Sequence, residues 1–361
     1  MKQRVAVAIS GGIDSLYSAY LLIQAGHDVT GIHFETGYGT FPASPCDPRG
    51  QVINHGSSEP NTLSAMSSLS AQLGIPIHIM DAQGIFEQSV VSYFVEKYQN
   101  GETPNPCLIC NPLIKFGVVM DFARRIGSDA LATGHYARVT VDDHGNARLL
   151  KGWDEAKDQS YFLAFLKQDQ LKHSLFPLGE LTKTEITCKA QQAGLKPVSS
   201  KESQDICFIP KDYKAFLLNR PGFRYEKGDI TTSDGVKIGV HNGLHSFTIG
   251  QRRGINCPAP FPYYVTRIDT STNTLIVGPK HELAADRVTV KGVSWINEPL
   301  SFPFETTTRI RYSHKGVGST LTMGDNGQLN VTCHAPVSSV TRGQGAVFYK
   351  DDEVLGGGWI A

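Results

Sequence analysis

Three cysteines carry one of the two chemical signals in this chain. Two lie in Pro104-Asn105-Pro106-Cys107-Leu108-Ile109-Cys110-Asn111, directly before a helical pattern containing Ile114-Lys115-Phe116. The third, Cys207, follows about a hundred residues later in Ser203-Gln204-Asp205-Ile206-Cys207-Phe208. A Cys-x-x-Cys pair near a helix N-terminus is expected to have lowered thiol pKa values and thiolate character at neutral pH. A structural zinc site would need a second such pair, which the sequence lacks, while a redox dithiol remains open. Taken alone, Cys207 reads equally well as a buried core cysteine. Cys46, Cys188, Cys257 and Cys333 stand apart and read as structural or incidental, and seven cysteines, an odd number, argue against a disulfide framework.

A second constellation is Ser10-Gly11-Gly12-Ile13-Asp14-Ser15, which follows a short apolar strand and opens a helix. Glycines let the backbone curl until its N–H groups face an anion, and the helix dipole adds to the attraction. Ser10 and Ser15 can donate further hydrogen bonds, and Asp14 is a candidate N-cap or magnesium ligand. The Gly-x-x-x-x-Gly-Lys-Ser/Thr pattern of the ordinary phosphate loop is absent.

The elements that must position these groups follow from periodicity. Strands are expected at Arg4–Ile9, Asp28–Phe34, Ile77–Asp81 and Ala130–Thr133, with a helical pattern over Leu16, Ala19, Tyr20, Leu22 and Ile23 that stops at Gly26, and helices near 61–73, 85–99 and 112–126. Such alternation implies a parallel sheet covered on both faces, with ligands held beyond the carboxyl ends of its strands. A hairpin is expected around Asp142–Asn146, then helices at Gln159–Leu171 and from Thr182-Lys183-Thr184-Glu185, which has capping-box spacing, to Gly194. After about residue 210, short β-branched and aromatic runs alternate with turn pairs. That texture implies two small all-β barrels or sandwiches with a break near Gly278–Ala285. The expected domains are 1–209, 210–283 and 284–361.

At 361 residues, with 40% hydrophobic and 19% charged residues, the chain suits a globular protein and excludes a largely disordered one. No window is expected to span a membrane, and the N-terminal apolar run is too short for a secretory signal, so a cytoplasmic location is expected. Basic and acidic residues balance at 34 each, which excludes a globally basic nucleic-acid binder. Locally the balance breaks. Gly235–Ile268 has no acid but carries Lys237, Arg252, Arg253 and Arg267. From Thr306 to Lys350 the only acid is Asp325, against Arg309, Arg311, Lys315, Arg342 and Lys350. His241 and His245 read as loop packing or phosphate contacts rather than metal ligands.

The Ser-Gly-Gly-Ile-Asp-Ser loop resembles the pyrophosphate-binding loop of the N-type ATP pyrophosphatases, enzymes that adenylate a carbonyl oxygen. The chain as a whole resembles the tRNA-specific 2-thiouridylases. The resemblance rests on that loop, Thr103–Phe116, Ala132-Thr133-Gly134-His135-Tyr136, Lys157-Asp158-Gln159-Ser160-Tyr161-Phe162-Leu163, Phe176-Pro177-Leu178-Gly179, Ser203–Phe208 and Phe247-Thr248-Ile249-Gly250-Gln251-Arg252-Arg253-Gly254. It implies an N-terminal Rossmann-like α/β catalytic domain followed by two small β-domains that grip tRNA. It further implies that Ala8, Ile9, Ser10, Gly11, Gly12, Ile13, Asp14, Ser15, Phe34 and Gly134 contact ATP, with magnesium. Asn105, Pro106 and Cys107 would face the wobble uridine, while His135, Lys157, Asp158, Gln159, Arg311, Tyr312 and Gln344 would lie against tRNA. The target base must leave the anticodon-loop stack to reach the thiols. In the family's usual scheme Cys207 carries a persulfide from a sulfur-donor protein, and Cys110 resolves the intermediate as a disulfide.

One departure changes the expected chemistry. Cys107 stands where most members of that family carry Asp, so an acid–base role at that position is lost. Three cysteines can hold a 4Fe–4S cluster and leave one iron free for hydrosulfide or a substrate sulfur. Such a cluster on Cys107, Cys110 and Cys207 is the preferred expectation, with the persulfide–disulfide route as the alternative. Two rivals lie further off. One is an amide-forming ligase on the same nucleotide fold, which needs no thiols. The other is a non-catalytic tRNA-binding module, which needs no ATP loop.

Overall fold

The protein is described from a computed structural model covering residues 2–39, 41–42, 46–199, 206–209, 212–258 and 261–361. Ser203-Gln204-Asp205, quoted above with Cys207, lies outside the described residues. The chain divides into two compact units. The first comprises Met1–Val90, Cys107–Pro210 and Asp352–Val354, and the second Val91–Pro106, Lys211–Asp351 and Leu355–Ala361.

In the first unit, β1 (Arg4–Ala8), β2 (Asp28–Glu35), β3 (Val52–Asn54), β4 (Ile77–Asp81) and β5 (Ala130–Ala132) line up with β8 (Ser174–Leu175) as one parallel sheet, in the order β3-β4-β2-β1-β5-β8. Val5, Ala6 and Val7 of β1 are wholly buried, as a strand covered on both faces requires. Leu16 and Ala19 of helix α1 (Ile13–Gln24) and Ala65, Met66 and Leu69 of helix α2 (Pro60–Leu73) pack into the same core. From β1 the chain proceeds to β2 on one side and later to β5 on the other. The turn after β1 therefore opens at a switch point of strand order, where such sheets bind ligands.

Between β5 and β8, β6 (Ala137–Val141) and β7 (Ala147–Lys151) form the expected antiparallel hairpin, and Glu353 and Val354 pair onto β7. The helix Lys183–Gln192 is capped as its sequence demands: Thr182 Oγ1 accepts the Glu185 N–H, and Glu185 reaches back to the Thr182 N–H.

Two expectations need correction. Gln159–Leu171 is not one helix but a 3-10 turn, Ser160–Leu163, and a short helix, Gln168–Lys172. The break falls at Lys167, whose backbone is extended (ψ 164°) and whose N–H is taken by Gln170 Oε1 at 3.0 Å, so the second helix starts afresh there. The second concerns membrane-length apolar segments: Pro106–Arg125 is long and apolar enough to pass that test, with mean hydropathy 1.4. Just over half of it is buried inside the protein, with Ile114, Phe116, Val119 and Met120 in the interior, so it reads as a core helix.

The second unit is all-β after a helix, Ser92–Gln99, and a short one at Tyr213–Leu218. Strands β9 (Gly228–Thr232), β10 (Lys237–His241), β11 (Tyr264–Asp269) and β12 (Thr274–Gly278) form a sheet in the order β10-β9-β12-β11 around Ile230, Val265, Leu275 and Val277. Strands β13 (Ala284–Trp295), β14 (Phe304–Arg309), β15 (Val317–Met323), β16 (Leu329–Ser338), β17 (Gly345–Lys350) and β18 (Glu353–Ile360) run β13-β16-β15-β14-β17-β18. Pairing of β18 with β13 closes them into a barrel. Alternation in β16 sends Leu329, Val331 and Cys333 inward and leaves Asn330 and Thr332 outside.

Candidate active site

The loop after β1 is built as its glycines suggest. Gly11 adopts φ +86°, and a Cβ there would come within 2.7 Å of Phe41 and 2.9 Å of Val198. Ser15 is buried and organises the loop: its Oγ accepts the Ser10 N–H at 3.2 Å and donates to the Gly12 carbonyl at 2.9 Å. Gly12 occupies the N-cap position of α1 without any side-chain cap. The first-turn N–H groups of a twelve-residue helix are thus left for an anion. Phe34 lies half-buried at the carboxyl end of β2.

Of the two tasks expected of Asp14, the structure removes the N-cap. Its carboxylate is held by Lys183 Nζ at 2.7 and 2.9 Å and by the Tyr136 hydroxyl at 2.9 Å. As placed, it does not offer a ready magnesium site. Among the described residues no group of three His, Cys, Asp or Glu side chains is gathered to hold a metal ion.

Gly134, at the end of β5, fits against this helix start. A Cβ on it would lie 3.0 Å from both Asp14 C and Ser15 N, tighter than ordinary contact. The next residue, His135, is buried, with its ring against Phe116 and Phe176. Its Nδ1 lies 2.7 Å from Thr133 Oγ1 and its Nε2 3.4 Å from Lys115 Nζ. An ammonium only donates, so Nε2 accepts and Nδ1 carries the proton. Burial and the Lys115 charge keep the imidazole pKa well below its ordinary value.

Cys107, Cys110 and Cys207 all lie in the first unit within electrostatic range of one another: Cys207 acts on both other thiols and Lys115 acts on all three. The anchor for Cys207 is its neighbour Phe208, buried with its ring against Tyr38 and Phe86. The expectation of lowered thiol pKa values is overturned. Burial pushes Cys107 up to about 11 and Cys110 up to about 12, against a smaller lowering by Lys115. Desolvation outweighs any help from the helix end, which fades within a turn. Cys207 is also raised by desolvation, but its side chain is exposed, and Lys115 and the backbone N–H groups of Cys207 and Phe208 favour its thiolate. The three sulfurs are the right donors for a cluster, yet they converge without forming a ready ligand set.

Sequence reasoning assigns Lys115 no role; its position five residues after Cys110 is the available signal, and only the helix type makes that spacing meaningful.

The remaining expected residues divide between the units. Asp158 and Gln159 serve the loop of the first unit: Gln159 Oε1 accepts the Tyr136 N–H at 3.1 Å, and Asp158 is buried. Lys157 beside them is half-buried. Asn105 and Pro106 belong to the second unit, where the preceding loop is gripped by the barrel. Gln344 Nε2 donates to the Thr103 and Pro104 carbonyls at 2.9 and 3.2 Å, and the Thr103 N–H donates to the Arg342 carbonyl. Arg311 donates to the Ser338 carbonyl at 3.0 Å, and the Tyr312 carbonyl accepts from Arg309. Lys315, Arg342 and Lys350 form no ion pair among the described residues, which leaves the barrel cations that can meet phosphate. His241 and His245 are buried packing residues, as expected, His245 between Phe223 and Tyr225.

Three family models match the chain in succession. They are described as a tRNA methyl transferase HUP domain over residues 3–211, a tRNA methyl transferase PRC-barrel domain over 214–279 and an aminomethyltransferase β-barrel domain over 285–360. A tRNA-specific 2-thiouridylase MnmA of Desulfosudis oleivorans is 46% identical, covering 99% of this chain and 94% of its own length. The chain belongs to the tRNA-specific 2-thiouridylase family. Proteins of the same printed name from Syntrophotalea carbinolica and Geobacter metallireducens are 42% and 40% identical, each over 99% of this chain and 99% and 97% of their own lengths. The parallel α/β domain followed by two β-domains, expected from the sequence, agrees with this family's three matched models.

Proposed function

We propose that this protein is an ATP-dependent tRNA sulfurtransferase that adenylates O2 of the wobble uridine and replaces that oxygen with sulfur. The observation that carries the reading is the run Thr133-Gly134-His135. Gly134 touches the start of the nucleotide-loop helix, and the adjacent His135 touches Lys115 beside the three thiols. Consecutive residues thus join a phosphate-binding turn to a sulfur site, as a reaction that first activates an oxygen and then displaces it demands.

Ala8–Ser15, Phe34 and Gly134 would hold ATP, with magnesium arriving on the nucleotide. Asn105, Pro106 and Cys107 would meet the flipped uridine. His135, Lys157–Gln159, Arg311, Tyr312 and Gln344 would serve the tRNA side, at the surface or by holding loops that reach it. The domain limits 1–209, 210–283 and 284–361 and a cytoplasmic location belong to the same proposal.

For the sulfur step, the environment of Cys207 favours the persulfide route. Its exposed side chain and two inward N–H groups suit a sulfur carrier loaded by a donor protein, while buried Cys110 suits the resolving thiol. The terminal persulfide sulfur attacks C2, and the C2–O bond breaks with its electron pair leaving on AMP. The Cys110 thiol, losing its proton to solvent, then attacks Cys207 Sγ. The S–S pair passes to the nucleoside sulfur, giving 2-thiouridine and a Cys110–Cys207 disulfide, which an external dithiol reduces. Cys107 favours a second reading, a 4Fe–4S cluster on all three cysteines that would supply an open iron for hydrosulfide.

Pyrophosphate release that rises with tRNA, and with no small carboxylic substrate, is the result expected; tRNA-independent release with an amide product would transfer the chain to the ligase rival. Iron and acid-labile sulfide in protein purified without oxygen separate the sulfur routes. Negligible iron in a preparation that still thiolates tRNA supports the persulfide. About four irons per chain, lost in Cys107→Ser, would replace it with the cluster.

A further inference from the structure

The helical run carrying the first two cysteines changes type along its length. Pro106–Cys110 is α-helical, Asn111–Val119 is π-helical and Met120–Arg125 is α-helical again. In an α-helix, residues five apart point about 140° away from each other. In a π turn they are joined i to i+5 and come round to the same face. Cys110 and Lys115 are five apart, so the wide turn brings Lys115 onto the cysteine face.

Several groups hold this register. A Cβ on Gly117 would lie 2.9 Å from the Pro112 carbonyl, so the turn needs glycine there. Gln170 Nε2 donates to the Pro112 and Phe116 carbonyls, both at 2.8 Å, and Asn111 Nδ2 donates to the Phe162 carbonyl at 2.9 Å. π turns are rare and frequent at functional sites, and this one runs for nine residues. The Lys115 ammonium rests on a neutral imidazole, His135, and has no carboxylate partner among the described residues. A cation is thus held within electrostatic range of three sulfurs, with no carboxylate among the described residues to neutralise it.

We propose that Lys115 is a catalytic residue of sulfur transfer, its ammonium holding the anionic terminal sulfur on Cys207 while that sulfur attacks the activated C2 carbon. This rests on the sulfurtransferase reading and its persulfide step. Lys115 transfers no proton; it donates hydrogen bonds to a sulfur whose charge passes into the new C–S bond. Gln170 is a positioning residue, acting through the π turn.

The test compares wild type with Lys115→Met, Lys115→Arg and Gln170→Ala in the full-length protein, loaded by a small-molecule persulfide donor. Three quantities are read: tRNA-stimulated pyrophosphate release, single-turnover 2-thiouridine formation and the melting temperature. Lys115→Met is expected to keep pyrophosphate release within about twofold and to slow thiouridine formation by about a hundredfold, the scale of misplacing a reacting atom by about an ångström. Lys115→Arg is expected to recover at least a tenth of the wild-type rate, and Gln170→Ala to slow the sulfur step alone by about tenfold. Wild-type thiolation by Lys115→Met, or equal loss of both half-reactions in Lys115→Met and Lys115→Arg, overturns the proposal. Absence of tRNA-stimulated pyrophosphate release in the wild type would instead overturn the function on which it rests.

Discussion

Lys183 Nζ lies 2.7 and 2.9 Å from the two carboxylate oxygens of Asp14, a residue 169 positions earlier in the chain. The pair ties the first turn of the helix Lys183–Gln192 to the first turn of α1, and Tyr136 adds a third hydrogen bond. It also places a cation beside the helix start proposed to receive ATP.

Lys183→Met is expected to lower unfolding stability by about 1–2 kcal/mol, since it leaves a partly buried carboxylate with only Tyr136. Urea denaturation of the two proteins measures it. Magnesium without nucleotide is expected to leave the wild-type midpoint unchanged, because Asp14 is already engaged; a clear rise would mean that Asp14 exchanges Lys183 for the metal.

Gly134→Ala puts a methyl 3.0 Å from the backbone where α1 begins. The loop must shift by a few tenths of an ångström, and ATP affinity is expected to fall by about tenfold or more, with folding retained. Nucleotide titration followed by fluorescence or calorimetry reads this directly, and unchanged affinity would remove Gly134 from the site.

The thiols set a pH dependence whose sign follows from burial. An acid whose pKa is higher in the folded state keeps its proton there while the unfolded chain loses it. Stability is therefore intact below the unfolded value of 9.0. It falls as pH rises from there toward about 11 for Cys107 and about 12 for Cys110. The urea midpoint should drop between pH 8 and pH 10, and less so in Cys110→Ala. In a mild alkylation at pH 8, peptide mass spectrometry should find Cys207 modified before Cys107 and Cys110. The reverse order would contradict their placement.

Gln344→Ala removes two hydrogen bonds from the Thr103 and Pro104 carbonyls. The loop should loosen by about 1–2 kcal/mol, seen as faster amide exchange at Thr103 and Asn105 without tRNA present. Unchanged exchange together with weakened tRNA binding would make Gln344 a direct tRNA contact rather than a clamp.

Much of this protein was legible before any coordinates. Strand–glycine–helix at Ile9–Ser15, the capping box at Thr182–Glu185 and the strand–helix alternation are local patterns, written in propensities and turn chemistry that act over a few residues. The kinds of groups available are written in the residue order: a glycine turn for phosphate, three cysteines outside any disulfide pattern, and two stretches almost empty of acids. What those groups do to one another depends on the packing of distant segments. Cys207 reaches Cys107 and Cys110 across about a hundred residues because Phe208 anchors it against Tyr38 and Phe86. The thiols are raised rather than lowered because desolvation depends on how many atoms surround a group, which no spacing reveals. The same holds for Asp14, whose partner arrives from a distant helix, and for Lys115, which faces the cysteines only because Gly117, Gln170 and Asn111 sustain a π turn that helix periodicity does not anticipate.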